Sequence, residues 1–137
     1  MQGVQNFPAD PHVLSEARAI LRRLSADVGF SQGVTEEVLL AVMEACNNAI
    51  EHSGSPEWRL AWRAWNTCLE LEVQDDGTFK EPLPMPEATV ARGRGMLLIM
   101  ALMDSVTVRK GTQVDPGSAV RMVRCETVAE TSEGRAN

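Results

Sequence analysis

The sequence is poor in positive charge and has no long apolar run. Thirteen basic residues stand against nineteen acidic ones, which gives a net charge of −6 and a pI near 4.9. Because nucleic-acid binding needs a basic surface, this balance argues against DNA or RNA as the main partner. No apolar stretch approaches the ~20 residues of a membrane-spanning helix, and no basic segment followed by an apolar run marks a signal peptide. We therefore expect a soluble, cytoplasmic protein that binds neither nucleic acid nor membranes.

Cysteine is also scarce, and its spacing excludes the common frameworks. Cys46, Cys68 and Cys125 lie far apart, form no Cys-x-x-Cys pair, and have neither His12 nor His52 at a ligand spacing. The pattern argues against a zinc site or a disulfide framework. It favours reduced, half-buried thiols, which are the usual state in the cytoplasm.

The apolar pattern predicts helices and an antiparallel sheet. Apolar residues at three- and four-residue steps predict one helix from the Asp10-Pro11 start to about Val28, and a second over residues 35–52 with Thr35 as a possible N-cap. Alternating apolar and polar residues predict strands. The expected strands are a short edge strand before residue 10 and residues 58–65, 68–74, 105–109 and 118–125.

The second predicted helix carries a polar side. Residues three and four apart lie on one side of a helix, which places Glu44 and Asn48 together, one turn apart. Such a carboxylate and carboxamide can bind a ligand, but an ordinary solvated helix face has the same pattern. Taken alone, the helix favours the ordinary interpretation. Glu37 and Glu51 share the polar side, and Val38, Val42, Cys46 and Ala49 are expected to face the core.

Two glycine-containing stretches add to this pattern. Asp75-Asp76-Gly77 follows an apolar strand, where it is typical either of a tight turn or of a carboxylate that accepts a hydrogen bond from a ligand amine. Gly93 and Gly95 precede an apolar helix, whose unpaired N–H groups and dipole favour an anion. Each signal is weak by itself.

Taken in order, four segments resemble the GHKL ATP-binding superfamily and, within it, the small anti-sigma-factor serine kinases of bacteria. The segments are residues 44–52, 73–77, 93–104 and 117–121. The resemblance covers nearly the whole chain and implies a two-layer α+β sandwich of the Bergerat type, with a mixed, mostly antiparallel sheet and helices on one face. We assign this domain to residues 1–125 and expect a polar, flexible tail over residues 126–137.

The resemblance also implies a role for each matching residue. Glu44 would orient or deprotonate the attacking serine or threonine hydroxyl, and Asn48 would hold Mg²⁺ through its side-chain oxygen. Asp75 would accept a hydrogen bond from the adenine amine of ATP, and Gly77 would give the base close access. The loop over residues 80–92 would form a lid over ATP. The other nucleotide contacts implied by the resemblance are Gly93, Arg94, Gly95, Met96 and Ser118.

The same resemblance implies a set of partners. In this family the protein sequesters a sigma factor, phosphorylates a STAS-domain anti-anti-sigma factor and forms a homodimer. The lid and the first helix, with Arg18, Arg22 and Arg23, are candidate partner surfaces, although these arginines equally suit solubility. One alternative is an ATP-binding partner-switch protein that does not catalyse. Another is the catalytic domain of a two-component histidine kinase, which the lack of a preceding phosphoacceptor-histidine helix pair argues against.

Overall fold

The structure is a computed structural model, and it describes residues 1–77, 95–111, 114 and 117–127. Strand β1 (Gln2–Pro8) leads through a 3₁₀ turn (Pro11–Val13) into helices α1 (Leu14–Val28) and α2 (Gln32–His52). A hairpin of β2 (Glu57–Trp65) and β3 (Cys68–Asp75) follows. Residues 95–102 are helical and are called α3. Strands β4 (Ser105–Arg109) and β5 (Ser118–Cys125) complete the described elements.

The five strands form one sheet in the order β1-β2-β3-β5-β4. The expected mixed, mostly antiparallel sheet is antiparallel at all four pairings that the structure describes. Helices α1 and α2 pack on one face of this sheet, which we call the helix-covered face. Alternate residues of β2 and β3 are buried there: Trp58, Leu60, Leu69, Leu71 and Val73. The two-layer α+β prediction is confirmed.

The helix boundaries follow from local hydrogen bonds. The carboxylate of Asp10 accepts a hydrogen bond from the His12 N–H at 3.0 Å, and α1 ends at Gly29, whose φ of 92° suits glycine. The predicted Asp10 cap is confirmed for the 3₁₀ turn, α1 itself begins only at Leu14, and the predicted end near Val28 is confirmed. The prediction of Thr35 as the second N-cap is wrong, because Ser31 Oγ accepts from the Val34 N–H at 3.2 Å and α2 begins at Gln32.

The cysteine prediction is wrong for two of the three residues. Cys68 lies directly opposite Cys125 in the β3–β5 pairing, and the two form a disulfide across a sequence separation of 57 residues. Spacing along the chain cannot reveal this pair, because the sheet alone brings the two strands together. Cys46 is free and buried in the core, as expected of an isolated thiol.

The segment after β5 begins folded onto the domain. The Glu126 carboxylate accepts a hydrogen bond from the Ser31 N–H at 2.7 Å, and the Glu126 N–H donates to the Thr67 carbonyl oxygen at 3.1 Å. The rest of the predicted tail, from residue 128, and the predicted lid over residues 80–92 lie outside the described residues. The boundary at residue 125 stays a prediction. In the part of the chain that the structure describes, no helix combines the length and apolar character needed to cross a bilayer.

Candidate active site

The polar side of α2 carries Glu44 and Asn48 one helical turn apart. Both residues are half-buried, whereas Val42 and Cys46 on the other side are fully buried. Burial raises the pKa of the Cys46 thiol to about 12, so this cysteine stays protonated and is a packing residue. The predicted division of α2 into a polar side and a core side is therefore confirmed.

Asp75 ends β3 with its side chain on the helix-covered face. The residue is only 8% exposed, and its Oδ1 accepts a hydrogen bond from the Gly77 N–H at 2.8 Å. Burial raises the pKa of Asp75 above its ordinary value, and the Gly77 hydrogen bond opposes this effect. Because water competes little at a nearly buried carboxylate, this group is a strong acceptor for a ligand donor.

Ser118 begins β5 directly beside Asp75. The two residues are partners in the β3–β5 register, and Ser118 Oγ accepts a hydrogen bond from the Gly111 N–H at 3.1 Å. The Gly117 N–H donates to the Gly77 carbonyl oxygen at 3.2 Å. These bonds join the ends of β3, β4 and β5 around the carboxylate, so the predicted nucleotide residues Asp75, Gly77 and Ser118 are brought together.

Gly77 also lies against the C-terminal end of α2. A Cβ atom at this position would overlap the carbonyl oxygen of Ser53 and would lie 2.7 Å from its carbonyl carbon. Ser53 is the C-cap of α2 and follows Asn48 by five residues, a distance of about 7.5 Å along a helix axis. Glycine at residue 77 therefore lets the Asp75 region approach the half of α2 that carries Asn48.

The first described residue of α3 contacts Glu44. A Cβ atom on Gly95 would overlap Glu44 Oε2 and lie 3.1 Å from the carboxylate carbon Cδ. Met96 is half-buried and packs against the core cluster, which anchors α3 at this point. The structure thus places the start of α3 against the Glu44 carboxylate of α2. The two sequence signals, the polar side of α2 and the glycine before the apolar helix, therefore belong to one site. The predicted contacts Gly93 and Arg94 lie outside the described residues.

The donor set fits Mg²⁺ better than a metal held by the protein alone. The described residues contain no cluster of three or more His, Cys, Asp or Glu side chains able to hold a metal ion. Mg²⁺ in phosphoryl-transfer sites takes few protein oxygens and completes its shell with phosphate oxygens and water. The half-buried amide of Asn48, one turn from Glu44, is an oxygen donor of that kind.

Sequence reasoning missed three residues that shape the site. A Cβ atom on Gly111 would lie 2.6 Å from the Gly117 nitrogen and 2.7 Å from the Gly77 carbonyl oxygen. The carbonyl group of Ser53 lies against Gly77, and Arg109 Nη1 donates to the Gly117 carbonyl oxygen at 2.8 Å. Gly111 and Gly117, which both lie between the predicted strands 105–109 and 118–125, were the available signal for Gly111. Ser53 and Arg109 had none, because their roles depend on the pairing of distant segments.

Comparison with known proteins finds relatives that match most of the chain. Among curated proteins, the chain is 31% identical over 134 residues to a serine-protein kinase RsbW of Bacillus licheniformis, covering 85% of this chain and 81% of the relative. It is 29% identical to a serine-protein kinase RsbW of Listeria innocua, covering 86% and 83%.

The fold has a solved counterpart. A structure of the RsbU and RsbW domains of a Mycobacterium tuberculosis protein matches with a TM-score of 0.68 at 16% identity. The match covers 91% of this chain and 32% of that longer one, and it supports the fold alone. Residues 7–124 match the model of the histidine kinase-like ATPase domain, a span from within β1 to near the end of β5. The chain belongs to the histidine kinase-like ATPase domain family.

Proposed function

We propose that this protein is an ATP-dependent serine/threonine protein kinase. The observation that carries the proposal is the contact between Gly95, at the start of the described part of α3, and the carboxylate of Glu44 on α2. It joins a candidate phosphate-binding helix to a candidate base, which is the pairing that phosphoryl transfer to a hydroxyl needs. The curated relatives named serine-protein kinase support the same activity.

The proposed nucleotide site extends from Asp75 to Gly95. Asp75 accepts a hydrogen bond from the adenine amine, beside Ser118. Gly77 lets the segment that holds Asp75 pack against the C-terminal end of α2, and the resemblance assigns it close contact with the base. Gly95 and Met96, with Gly93 and Arg94 before them, bind the phosphates. The support is the low exposure of Asp75 and the absence of space for a side chain at residue 77.

The chemistry falls mainly to one side chain. Glu44 orients the substrate hydroxyl and takes its proton while the hydroxyl oxygen bonds to the γ-phosphorus and the bond to the departing ADP oxygen breaks. Asn48 holds Mg²⁺, which neutralises charge on the phosphate oxygens when bound. A kinase of this type needs little more than positioning and charge neutralisation. Glu44 supplies the positioning of the hydroxyl, and Mg²⁺ held by Asn48 would supply the neutralising charge.

The substrate and partners are proposed from the family resemblance. The phosphorylated protein is a STAS-domain anti-anti-sigma factor, the sequestered protein is a sigma factor, and the kinase is a homodimer. Of the arginines on α1, Arg22 pairs with Glu36 of α2 at 2.9 Å in an exposed salt bridge. Arg18 and Arg23 are exposed on the same helix, which makes its surface suitable for an acidic partner.

We also propose that the protein works in the cytoplasm. A reducing compartment keeps most thiol pairs open, so Cys68 and Cys125 should be found reduced in growing cells and should close on exposure to an oxidant. Rapid acid quenching followed by alkylation of free thiols measures this state. A pair that is fully oxidised in unstressed cells would place the protein in an oxidising compartment instead.

The kinase proposal is tested by transfer of radiolabelled γ-phosphate to STAS-domain proteins from the same organism, with Mg²⁺ present. Glu44→Gln should abolish transfer, at least about 100-fold, while nucleotide affinity stays within about twofold of wild type. Glu72→Gln is the matched control, because Glu72 lies on β3 away from the site. Tight ATP binding without transfer to any candidate would favour the non-catalytic partner-switch protein.

A further inference from the structure

The side chain of Arg124 joins three elements of the fold beneath the site. Arg124 belongs to β5 and points to the helix-covered face, where its side chain is 18% exposed. Its Nη1 lies 2.7 Å from Glu37 Oε1 on α2, and the same nitrogen donates to the Leu102 carbonyl oxygen of α3 at 2.6 Å. One guanidinium therefore binds the first half of α2 and the last turn of α3 together.

These contacts fix the relative direction of the two helices. Arg124 joins the Glu37 end of α2 to the Leu102 end of α3, whereas Gly95 of α3 meets Glu44 of α2. Each helix runs seven residues between its two contacts, about 10 Å in both cases. The helices therefore lie side by side in opposite directions, held at one end by Arg124 and meeting at the other end at the candidate base.

The chemistry of the Arg124 contact suits a fixed clamp. The last carbonyl groups of a helix have no partner within it, and a cation at that end is favourable. Glu37 balances the charge of the arginine, and the planar guanidinium directs its donors at both acceptors. A lysine at this position would keep the charge but would lose the fixed geometry.

We propose that Arg124 is a positioning residue for phosphoryl transfer: it sets the register of α3 against α2 and so the placement of Gly95 beside Glu44. The proposal rests on the proposed kinase function. Within the part of the chain that the structure describes, the side chain of Arg124 bonds to Leu102 and Glu37, so it acts through α3. Because rates of phosphoryl transfer depend on placement within about 1 Å, a small shift of α3 lowers turnover more than it weakens nucleotide binding.

The test compares Arg124→Gln and Arg124→Lys with Arg63→Gln. Arg63 forms a 3.1 Å ion pair with Glu70 on the opposite face of the sheet, so it is a matched arginine–glutamate pair remote from α3. Thermal stability, the Kd values for ATP and ADP, and kcat and KM are measured well below the melting temperature. Arg124→Gln should lower kcat at least about tenfold with a smaller change in KM, Arg124→Lys should lie between it and wild type, and Arg63→Gln should leave kcat unchanged.

The outcomes separate the proposal from a purely structural role. An Arg124→Gln protein that is less stable but has wild-type kcat while folded would overturn the proposal. If the wild-type protein binds nucleotide without transferring phosphate, the kinase proposal is rejected. The positioning role of Arg124 is then tested by nucleotide binding alone. A loss of affinity for ATP that exceeds the loss for ADP, absent in Arg63→Gln, then supports the positioning of the phosphate end. Equal losses for both nucleotides overturn it.

Discussion

The two faces of the sheet differ in how deeply their acidic groups are buried, although ion pairs occur on both, as between Arg124 and Glu37 at 2.7 Å on the helix-covered face. The face without α1 and α2, which we call the polar face, pairs its charges with one another: Glu70 lies 3.1 Å from Arg63 and 3.8 Å from Arg121. On the helix-covered face, Asp75 is the acidic group among the buried residues that the structure describes, and burial raises its pKa. Charges that satisfy each other at a surface contribute little, whereas a nearly buried carboxylate with a raised pKa costs stability and is a candidate for ligand binding.

The two faces of the sheet are therefore expected to have different roles, which we call the division between stability and function. Changes on the polar face should alter stability without altering nucleotide binding or transfer. Changes on the helix-covered face should alter binding or transfer by more than their effect on stability explains.

Opening the Cys68–Cys125 disulfide on the polar face should give the largest loss of stability. The bond closes a 57-residue separation, and the chain-entropy estimate for such a loop is about 4 kcal/mol, an upper value for real proteins. Denaturant unfolding of wild type with and without reductant measures the loss. Cys68→Ser should be equally destabilised and should no longer respond to reductant, while nucleotide affinity at low temperature stays unchanged. A reduced protein that folds but no longer binds ATP would contradict the expectation that changes on the polar face leave nucleotide binding unaltered.

Gly77→Ala should damage both stability and binding. The added methyl group would meet the Ser53 carbonyl, which is backbone and cannot turn away, so the cost is that of overpacking, about 1–3 kcal/mol. Because the displaced segment holds Asp75, nucleotide affinity measured by calorimetry should also fall. Gly33→Ala is the matched control, since Gly33 lies in the first turn of α2 with open space around it. Equal behaviour of the two variants would show that Gly77 is replaceable.

Asp75→Asn should separate binding from stability. Loss of the charged acceptor should weaken ATP binding about 10- to 100-fold, the range of a hydrogen bond to a charged group. The folded-state pKa of Asp75 is raised, so its ionisation opposes folding and stability falls as pH rises through that raised value. Asparagine removes this cost and should leave the melting temperature at neutral pH unchanged or slightly higher. A less stable variant with normal affinity would contradict this assignment.

The same raised pKa gives ATP binding a pH dependence. Affinity should decrease as the pH falls through the pKa of Asp75, because the protonated carboxyl is a weaker acceptor for the adenine amine. Titration calorimetry across acidic pH, with Asp75→Asn as the control that lacks this step, measures the effect. An identical pH profile in both proteins would exclude Asp75 as its source.

Breaking the Arg63–Glu70 pair should have the smallest effect. The arginine side chain is 58% exposed, and exposed ion pairs contribute about 0.2–1 kcal/mol. Glu70→Gln should therefore change the free energy of unfolding by less than about 1 kcal/mol, and this loss should shrink in high salt. Transfer kinetics should match wild type. A strong kinetic effect would mean that the polar face takes part in catalysis.

Local patterns predicted most of the elements. The end of α1 at Gly29, the β2–β3 hairpin and the strand beginning at Ser118 are all set by neighbouring residues, and the structure confirms them. The predicted start of α2 at Thr35 was wrong because Ser31 caps the helix and Gly33 is tolerated within its first turn. Helix propensity penalises glycine by only about 1 kcal/mol, which one good cap offsets.

Long-range pairing explains what the sequence could not provide. The Cys68–Cys125 bond and the two contacts of Arg124 exist only because β5 lies between β3 and β4. The family resemblance assigned Gly95 and Glu44 to one nucleotide site without predicting their contact, and it gave no indication of the contact between Gly77 and Ser53. A family resemblance assigns roles to the residues that match the family's segments. It does not identify the neighbouring residues, such as Ser53 and Arg124, that position them.

The placement of Glu44 beside Gly95 is tested most directly by the rate of phosphoryl transfer in Gly95→Ala, measured against Gly33→Ala. The new methyl group would displace the flexible end of the Glu44 side chain, so it should change stability little. The site as described predicts a fall in kcat of about 10- to 100-fold in Gly95→Ala and none in Gly33→Ala. A Gly95→Ala protein that transfers phosphate at the wild-type rate would contradict it.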